Sequence, residues 1–391
     1  MQIPASPAAP EGPPPLPEAP LTASNENAAP ETVPPALSER IFNWVNWTFL
    51  GDQGLRAGWS VVFFVVLVIL FGIVIGSVFS SLHLISKKSS FTASSAFFGE
   101  LVGVLALVGA GVLMALIERR KNLLAYNLTG PRRIFHFLSG LAAGFAALSA
   151  LVGALNWGGW LRFGPIALSG GHIFKYGLMW ASAFLLVGCF EEGVFRGYLQ
   201  FTFTRGLNFW WALGTEVSVC LWLAMTAKGN GVWGVYAIAL LGLAPCVILH
   251  LRKTPRSGFW QAAWVTSTLF GLIHTGNGGE NWVGIFAAAF IGFVFCVSVW
   301  LTGSAWWAIG CHAAWDWAET FFYGTADSGL QPRGHYLTTS PAGNALWSGG
   351  ADGPEGSLLV IGAILLLLAL LLALYRRKPE ISCIDEESRG C

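Results

Sequence analysis

The chain is poor in charged residues and in cysteine motifs. Only 11% of its 391 residues are charged, whereas a soluble domain usually carries about 25%. A net charge of +1 provides no basic surface, so we expect no nucleic-acid partner. The seven cysteines form no CxxC or zinc-knuckle spacing, and five of them lie in apolar stretches as small packing residues. Residues 1–20 lack a basic region and an apolar region, so no signal peptide is expected.

Apolar residues are abundant instead, at 54% of the chain. Ten apolar stretches approach the roughly 17–25 residues that cross a bilayer as a helix. They lie near residues 58–84, 97–117, 134–156, 176–203, 209–227, 232–251, 259–275, 282–302, 305–322 and 357–375. The sequence therefore predicts an all-α fold, a polytopic transmembrane helical bundle of about ten spans.

Composition divides the chain into five parts. We expect a disordered Pro/Ala-rich cytoplasmic tail, an interfacial segment with three spans, a core with a two-span insert near 209–251, an external Gly/Pro-rich loop, and a last span with a cytoplasmic tail. These parts are residues 1–38, 39–175, 176–322, 323–356 and 357–391, respectively.

Basic residues indicate the orientation of the spans. Clusters of Lys and Arg follow the second, fourth, sixth and tenth apolar stretches, which lie on one side if there are ten spans. Lys87 and Lys88 are the exception. The asymmetry predicts an integral membrane protein with both termini in the cytoplasm, and it suits a bacterial inner membrane.

Three charged residues interrupt the fourth apolar stretch. Glu191, Glu192 and Arg196 lie within six residues of one another, although a charged side chain at the bilayer centre costs at least ~2.5–3.5 kcal/mol. Glu192 and Arg196 are four residues apart and share a helix face, so we expect them to pair. Glu191 is rotated by about 100°, which leaves it free to face a cavity.

Histidines occur deep in two later stretches. His274 lies near the end of the seventh, and His312 and Asp316 share a face of the ninth. Counted from the cytoplasmic ends at ~1.5 Å per residue, Glu191, His274 and Asp316 lie at roughly 20–24 Å and His312 at roughly 14 Å. Three separate spans thus bring polar residues to one layer of the membrane.

Residues of these types can activate water in two ways. A carboxylate and an imidazole can remove a proton from water while a second imidazole stabilises an oxyanion. Alternatively, Glu191, His274 and His312 can bind Zn²⁺ with an open position. A third reading is non-catalytic: the cluster serves as helix glue or a proton relay in a transporter or an immunity-type binding partner.

Three motifs in order bear on this choice. EEGVFR begins at Glu191, FGLIH runs from Phe270 to His274, and HAAWD runs from His312 to Asp316. Over roughly residues 176–322 they resemble the CPBP family, which comprises type II CAAX prenyl endopeptidases and bacteriocin-processing and self-immunity proteins. The resemblance implies an intramembrane endopeptidase, surrounded by lipid, that cleaves a peptide or a membrane protein.

The resemblance also implies roles for individual residues. Glu191 and His274 would activate the water, and His312 and Asp316 would form the oxyanion site. Glu192, Arg196 and Phe270 would support this arrangement. Motifs of other intramembrane proteases, namely HExxH, GxSG and GxGD, do not occur.

Two features depart from the family pattern. Some 80 residues separate the first motif from the second, enough for two extra spans, and this insert carries its own Glu216. The third motif ends in Asp316, where Asn is common. An ionised Asp only accepts hydrogen bonds, so this side chain is better suited to hold His312 or to bind a metal, and Glu319 can join it.

Overall fold

The computed structural model describes residues 37–51, 54–85, 91–226, 232–254 and 256–375. Nearly all of the N-terminal tail and residues 376–391 lie outside the described residues. The chain divides into two units, residues 1–48 and 49–391. The described part of the first unit is helix α1 (Leu37–Phe49), in which no side chain is buried.

The second unit is built from helices, as predicted. These are α2 (Ala57–Ser81), α3 (Ala93–Ile117), α4 (Arg133–Trp157), α5 (Gly171–Glu192), α6 (Gln200–Gly206), α7 (Phe209–Thr226), α8 (Val232–Leu251), α9 (Ser257–His274), α10 (Trp282–Thr302), α11 (Trp306–Trp317), α12 (Ala345–Ser348) and α13 (Leu359–Leu374). Seven helices within the described ranges are long and apolar enough to cross a membrane. Helices α9, α11 and α13 occupy the remaining three predicted stretches. The polytopic helical bundle is confirmed.

Within the described residues, one π-helical turn overlaps the first motif and another begins just after the third. The first, Gly193–Leu199, joins α5 to α6 without a break. The second, Ala318–Tyr323, extends α11. Such turns occur frequently at functional sites within α-helices.

Two short antiparallel strand pairs accompany the helices. The strands β1 (Leu50–Gly51) and β2 (Gly54–Leu55) form one hairpin. The strands β3 (Leu161–Ile166) and β4 (Leu337–Pro341) form the other pair, with one register shift. Because β4 lies in the loop 323–356, this pairing fixes the loop to the end of α4.

Close contact between α4 and α11 places the third motif. A Cβ atom on Gly140 would meet the carbonyl oxygen of Trp307, and one on Gly144 would meet that of Cys311. Small residues four apart let two membrane helices approach to backbone contact. His312 follows Cys311 directly, so this contact sets its position.

The two-span insert packs against α9. Val219 and Leu223 of α7 and Ile238 of α8 form a buried cluster with Ala289 of α10. The insert's carboxylate has a partner that sequence reasoning did not find: Thr268 of α9 donates a hydrogen bond of 2.7 Å to Glu216, which is fully buried.

Candidate active site

A cavity of about 580 Å³ lies inside the helical unit. The four residues predicted to be catalytic line it from three helices: Glu191 of α5, His274 of α9, and His312 and Asp316 of α11. Much of the remaining wall is apolar and comes from α5, α10 and α13. The helices therefore collect the residues of three separate motifs around one space.

The two adjacent glutamates occupy different environments. Glu192 is fully buried and forms an ion pair with Arg196, which is also fully buried, with Oε2 3.2 Å from Nε. The Glu191 side chain keeps 25% of its surface exposed and reaches within 3.8 Å of His312 Nε2. The difference follows from the helix phase, since adjacent residues point about 100° apart.

Two aromatic rings flank Arg196. The guanidinium carbon lies 4.3 Å from the ring centroid of Phe270 and 5.3 Å from that of Phe295, within the range of a cation–π contact. Gly292 of α10 leaves the space, because a Cβ atom there would lie 2.5 Å from Arg196 Nη2. The arginine is thus held between rings as well as by a carboxylate.

His312 has carboxylates at both ring nitrogens. Its Nδ1 lies 2.9 Å from Glu192 Oε1. Its Nε2 lies 3.4 Å from Asp316 Oδ2 and 3.8 Å from Glu191 Oε2. Carboxylates accept hydrogen bonds, so this arrangement favours the doubly protonated ring, in which both nitrogens donate.

His274 has a different partner. Its Nδ1 lies 2.8 Å from the backbone carbonyl oxygen of Phe270. A carbonyl oxygen only accepts, so Nδ1 donates, and Nε2 is the nitrogen that carries the lone pair in the neutral form of the ring. The two histidines therefore differ in character: one has a proton to donate and the other can take one.

Comparison with known proteins agrees with the motifs. Residues 173–318 match the family model described as type II CAAX prenyl endopeptidase Rce1-like. We refer to this matched stretch, which holds all three motifs, as the Rce1-like domain. This confirms the resemblance to a family of intramembrane peptidases that the three motifs indicate. No curated protein and no solved structure matches the chain.

The Rce1-like domain does not supply the whole cavity. Glu100 of α3 also lines it, as do Asp327 and Glu355 from either side of β4. All three lie outside residues 173–318 and were missed by sequence reasoning. A lone carboxylate in an apolar stretch was a usable signal for Glu100, whereas the other two are acidic residues in a polar loop and carry no such signal.

The loop carboxylates are strongly affected by their surroundings. Burial raises the pKa of Asp327 to about 6, with nearby Glu191 adding to the shift. Burial raises the pKa of Glu355 to about 8, helped by Asp327 and Asp352. At neutral pH Glu355 therefore keeps its proton for the most part, whereas Asp327 is largely ionised.

Three possible metal ligands converge elsewhere than the sequence suggested. Within the described residues, the group whose ligand atoms all lie within 4.8 Å of one another is Glu319, Asp327 and Glu355. The zinc ligands suggested by the sequence, which include His274 and His312, do not form such a group.

Proposed function

We propose that the protein is an intramembrane endopeptidase of the CAAX-protease type that works without a metal in the reaction. The observation that carries the proposal is that the two histidines around one cavity have different partners: carboxylates contact His312, and a backbone carbonyl contacts His274. Peptide hydrolysis needs a group that takes a proton from water and a group that donates to the developing oxyanion. His274 and His312 have these two characters.

Glu191 and His274 activate the water. His274 Nε2 keeps a lone pair because Nδ1 donates to Phe270, and Glu191 Oε2 has no hydrogen-bond partner among the described residues. Either atom can take the proton while the water oxygen attacks the peptide carbonyl carbon. The same proton then passes to the leaving amine as the C–N bond breaks.

His312 stabilises the tetrahedral intermediate. Its Nε2–H donates to the oxyanion formed from the peptide carbonyl oxygen. Glu192 keeps the ring oriented through Nδ1. Asp316 lies 3.4 Å from His312 Nε2 and acts as a positioning residue for this ring. An ionised carboxylate has no proton to donate, so Asp316 does not donate a hydrogen bond to the oxyanion.

The cavity suits an apolar peptide segment. Side chains such as Phe184, Val187, Ile291 and Ile364 line it beside the charged groups. With both termini in the cytoplasm of a bacterium, as the basic loops predict, the loop 323–356 and its carboxylates face outside. The substrate is then a peptide or a membrane protein that reaches the cavity from the lipid.

Hydrolysis of a quenched fluorogenic peptide by the detergent-purified protein tests the proposal. Peptides with an apolar segment, with a free CAAX tail and with a prenylated CAAX tail form the panel. We expect Glu191→Ala and His274→Ala to lower kcat/KM by about 10²–10⁴-fold, the usual contribution of acid–base catalysis. The control is Glu216→Gln, which alters a buried carboxylate that does not line the cavity, and its activity should match the parent.

Two outcomes contradict the proposal. Variants that cleave as fast as the parent would show that the cavity residues are not catalytic. A parent that binds but does not cleave any peptide would favour the transporter or immunity-type reading. A chelator selective for transition metals, such as phenanthroline, should leave the rate unchanged if no zinc takes part.

A further inference from the structure

The acidic cluster beside the active site is formed by three separate segments. Glu319 lies in the π turn that extends α11, Asp327 in the loop that follows, and Glu355 just before α13. Their carboxylate oxygens lie within 4.8 Å of one another. Three like charges so close repel one another unless protons or a cation compensate them.

Glu319 is the residue that points to a ligand. Its side chain is fully buried, at 0% exposure. Neither carboxylate oxygen has a hydrogen-bond partner among the described residues. A buried carboxylate that no protein group satisfies is costly, and here its oxygens are directed towards two further carboxylates.

The other two carboxylates are held in place by neutral donors. Thr320 Oγ1 donates to Asp327 Oδ2 at 2.7 Å. Trp315 Nε1 donates to Glu355 Oε1 at 2.8 Å. Over the described ranges, none of the three acids forms an ion pair with a lysine or an arginine. The cluster is thus preorganised and lacks a protein cation.

We propose that Glu319, Asp327 and Glu355 bind a hard divalent cation, and that Ca²⁺ is the ion that fits. The donor set consists of oxygen only, which suits Ca²⁺, Mg²⁺ and Mn²⁺ rather than Zn²⁺. Mg²⁺ gives up water reluctantly, whereas Glu319 is completely buried. Ca²⁺ accepts six to eight oxygen ligands in flexible geometry, which suits ligands from three segments.

Such an ion would join the end of α11 to the loop 323–356. Asp327 and Glu355 line the same cavity as His312 and Asp316. The bound ion would therefore fix the acidic wall of the cavity in place. Binding does not depend on the proposed peptidase activity, so the two proposals can fail separately.

Titration of CaCl₂ into the full-length protein, purified in detergent and freed of metal with EGTA, tests the site. We expect a saturable rise in the thermal midpoint. Tb³⁺ provides a direct probe, because Trp315 contacts a ligand and can sensitise its luminescence. Ca²⁺ should displace Tb³⁺ and quench this signal.

Variants separate the site from general effects of salt. We expect Glu319→Gln and Asp327→Asn each to weaken Ca²⁺ binding by at least tenfold. Asp327 is less buried than Glu319, so Asp327→Asn provides the test if Glu319→Gln does not fold. The control is Glu216→Gln. Glu216 is as buried as Glu319 but is not part of the cluster, so this variant should bind Ca²⁺ as the parent does. Absence of a saturable response to Ca²⁺, or a response that survives both substitutions in the cluster, would overturn the proposal.

Discussion

Glu192 and His312 are joined by a contact of 2.9 Å between Oε1 and Nδ1, although 120 residues separate them in sequence. The same carboxylate pairs with Arg196. Glu192 therefore connects the first motif to the third from behind the cavity, while its neighbour Glu191 lines the cavity itself. Loss of Glu191 and loss of Glu192 should therefore have different consequences.

Replacing Glu192 should damage stability more than replacing Glu191. Glu192→Ala leaves Arg196 buried without its partner, and breaking a buried ion pair costs about 3–5 kcal/mol. Glu191→Ala removes a side chain that is 25% exposed and should leave the thermal midpoint in detergent near that of the parent. Equal losses of thermal stability in the two variants would contradict this division.

A methyl group at Gly292 should displace Arg196. The added Cβ atom would lie 2.5 Å from Nη2, and overpacking of this kind costs about 1–3 kcal/mol. We expect Gly292→Ala to lower both the thermal midpoint and peptide hydrolysis. Gly214→Ala is the control, because no atom lies within 4 Å of a Cβ atom there. Equal thermal midpoints and equal hydrolysis rates for the two variants would show that the space for Arg196 contributes to neither stability nor activity.

The carboxylate of Asp316 should be replaceable by an amide. Asp316→Asn keeps an oxygen that can accept from His312 Nε2, so we expect it to retain most of the activity. Asp316→Ala loses that acceptor and should lose about 10–100-fold in activity, because a hydrogen bond to a charged group contributes about 1.5–3 kcal/mol. The measurement is kcat/KM for the cleaved peptide. An asparagine variant as inactive as the alanine variant would mean that the negative charge itself is required.

Thermal stability should fall as the pH rises through the neutral range. Burial raises the pKa of Glu280 to about 9, with Asp352 and Glu355 adding to it. Burial also raises the pKa of Asp352 to about 7. The folded state thus holds protons that the unfolded state releases near pH 4.5 for Glu280 and pH 3.8 for Asp352. The contribution of these two groups to stability is complete below those values and is lost as the pH rises through about 7 to 9.

Midpoints recorded with EGTA from pH 5 to pH 9 measure this effect. Glu280→Gln should flatten the upper part of the curve, because the amide does not ionise. Glu39→Gln, at an exposed position of α1, should leave the curve unchanged. A parent whose midpoint rises between pH 6 and pH 9 would reverse the expected sign.

Local features of the site could be predicted from sequence, and contacts between helices could not. The i and i+4 spacing was enough to expect the pair Glu192–Arg196, because helix geometry alone determines that contact. The contact of Glu192 with His312 depends on how α5 and α11 pack, which no local pattern encodes. The ten apolar stretches were enough to predict the helices. A segment that crosses a bilayer must satisfy its backbone hydrogen bonds internally, and an apolar stretch does so as a helix.

The flanks of the matched domain were the least predictable part. Pairing of β3 with β4 joins segments about 175 residues apart, and neither strand has strong alternation. This pairing brings the loop carboxylates Asp327 and Glu355 to the cavity. Whether a loop is a simple connection or a wall of the site depends on such long-range contacts, which composition does not reveal.

The π turns that overlap the first motif and follow the third affect how this chain should be aligned with others. A π turn closes its hydrogen bonds from i to i+5 and so holds one residue more than the corresponding α turn. A homologue with a regular α-helix there would lack that residue, and residues after it would be rotated by about 100°. Alignments should therefore allow a single-residue gap within 193–199 and within 318–323. Deleting one residue within 193–199 should shift Gln200 and later residues to another helix face.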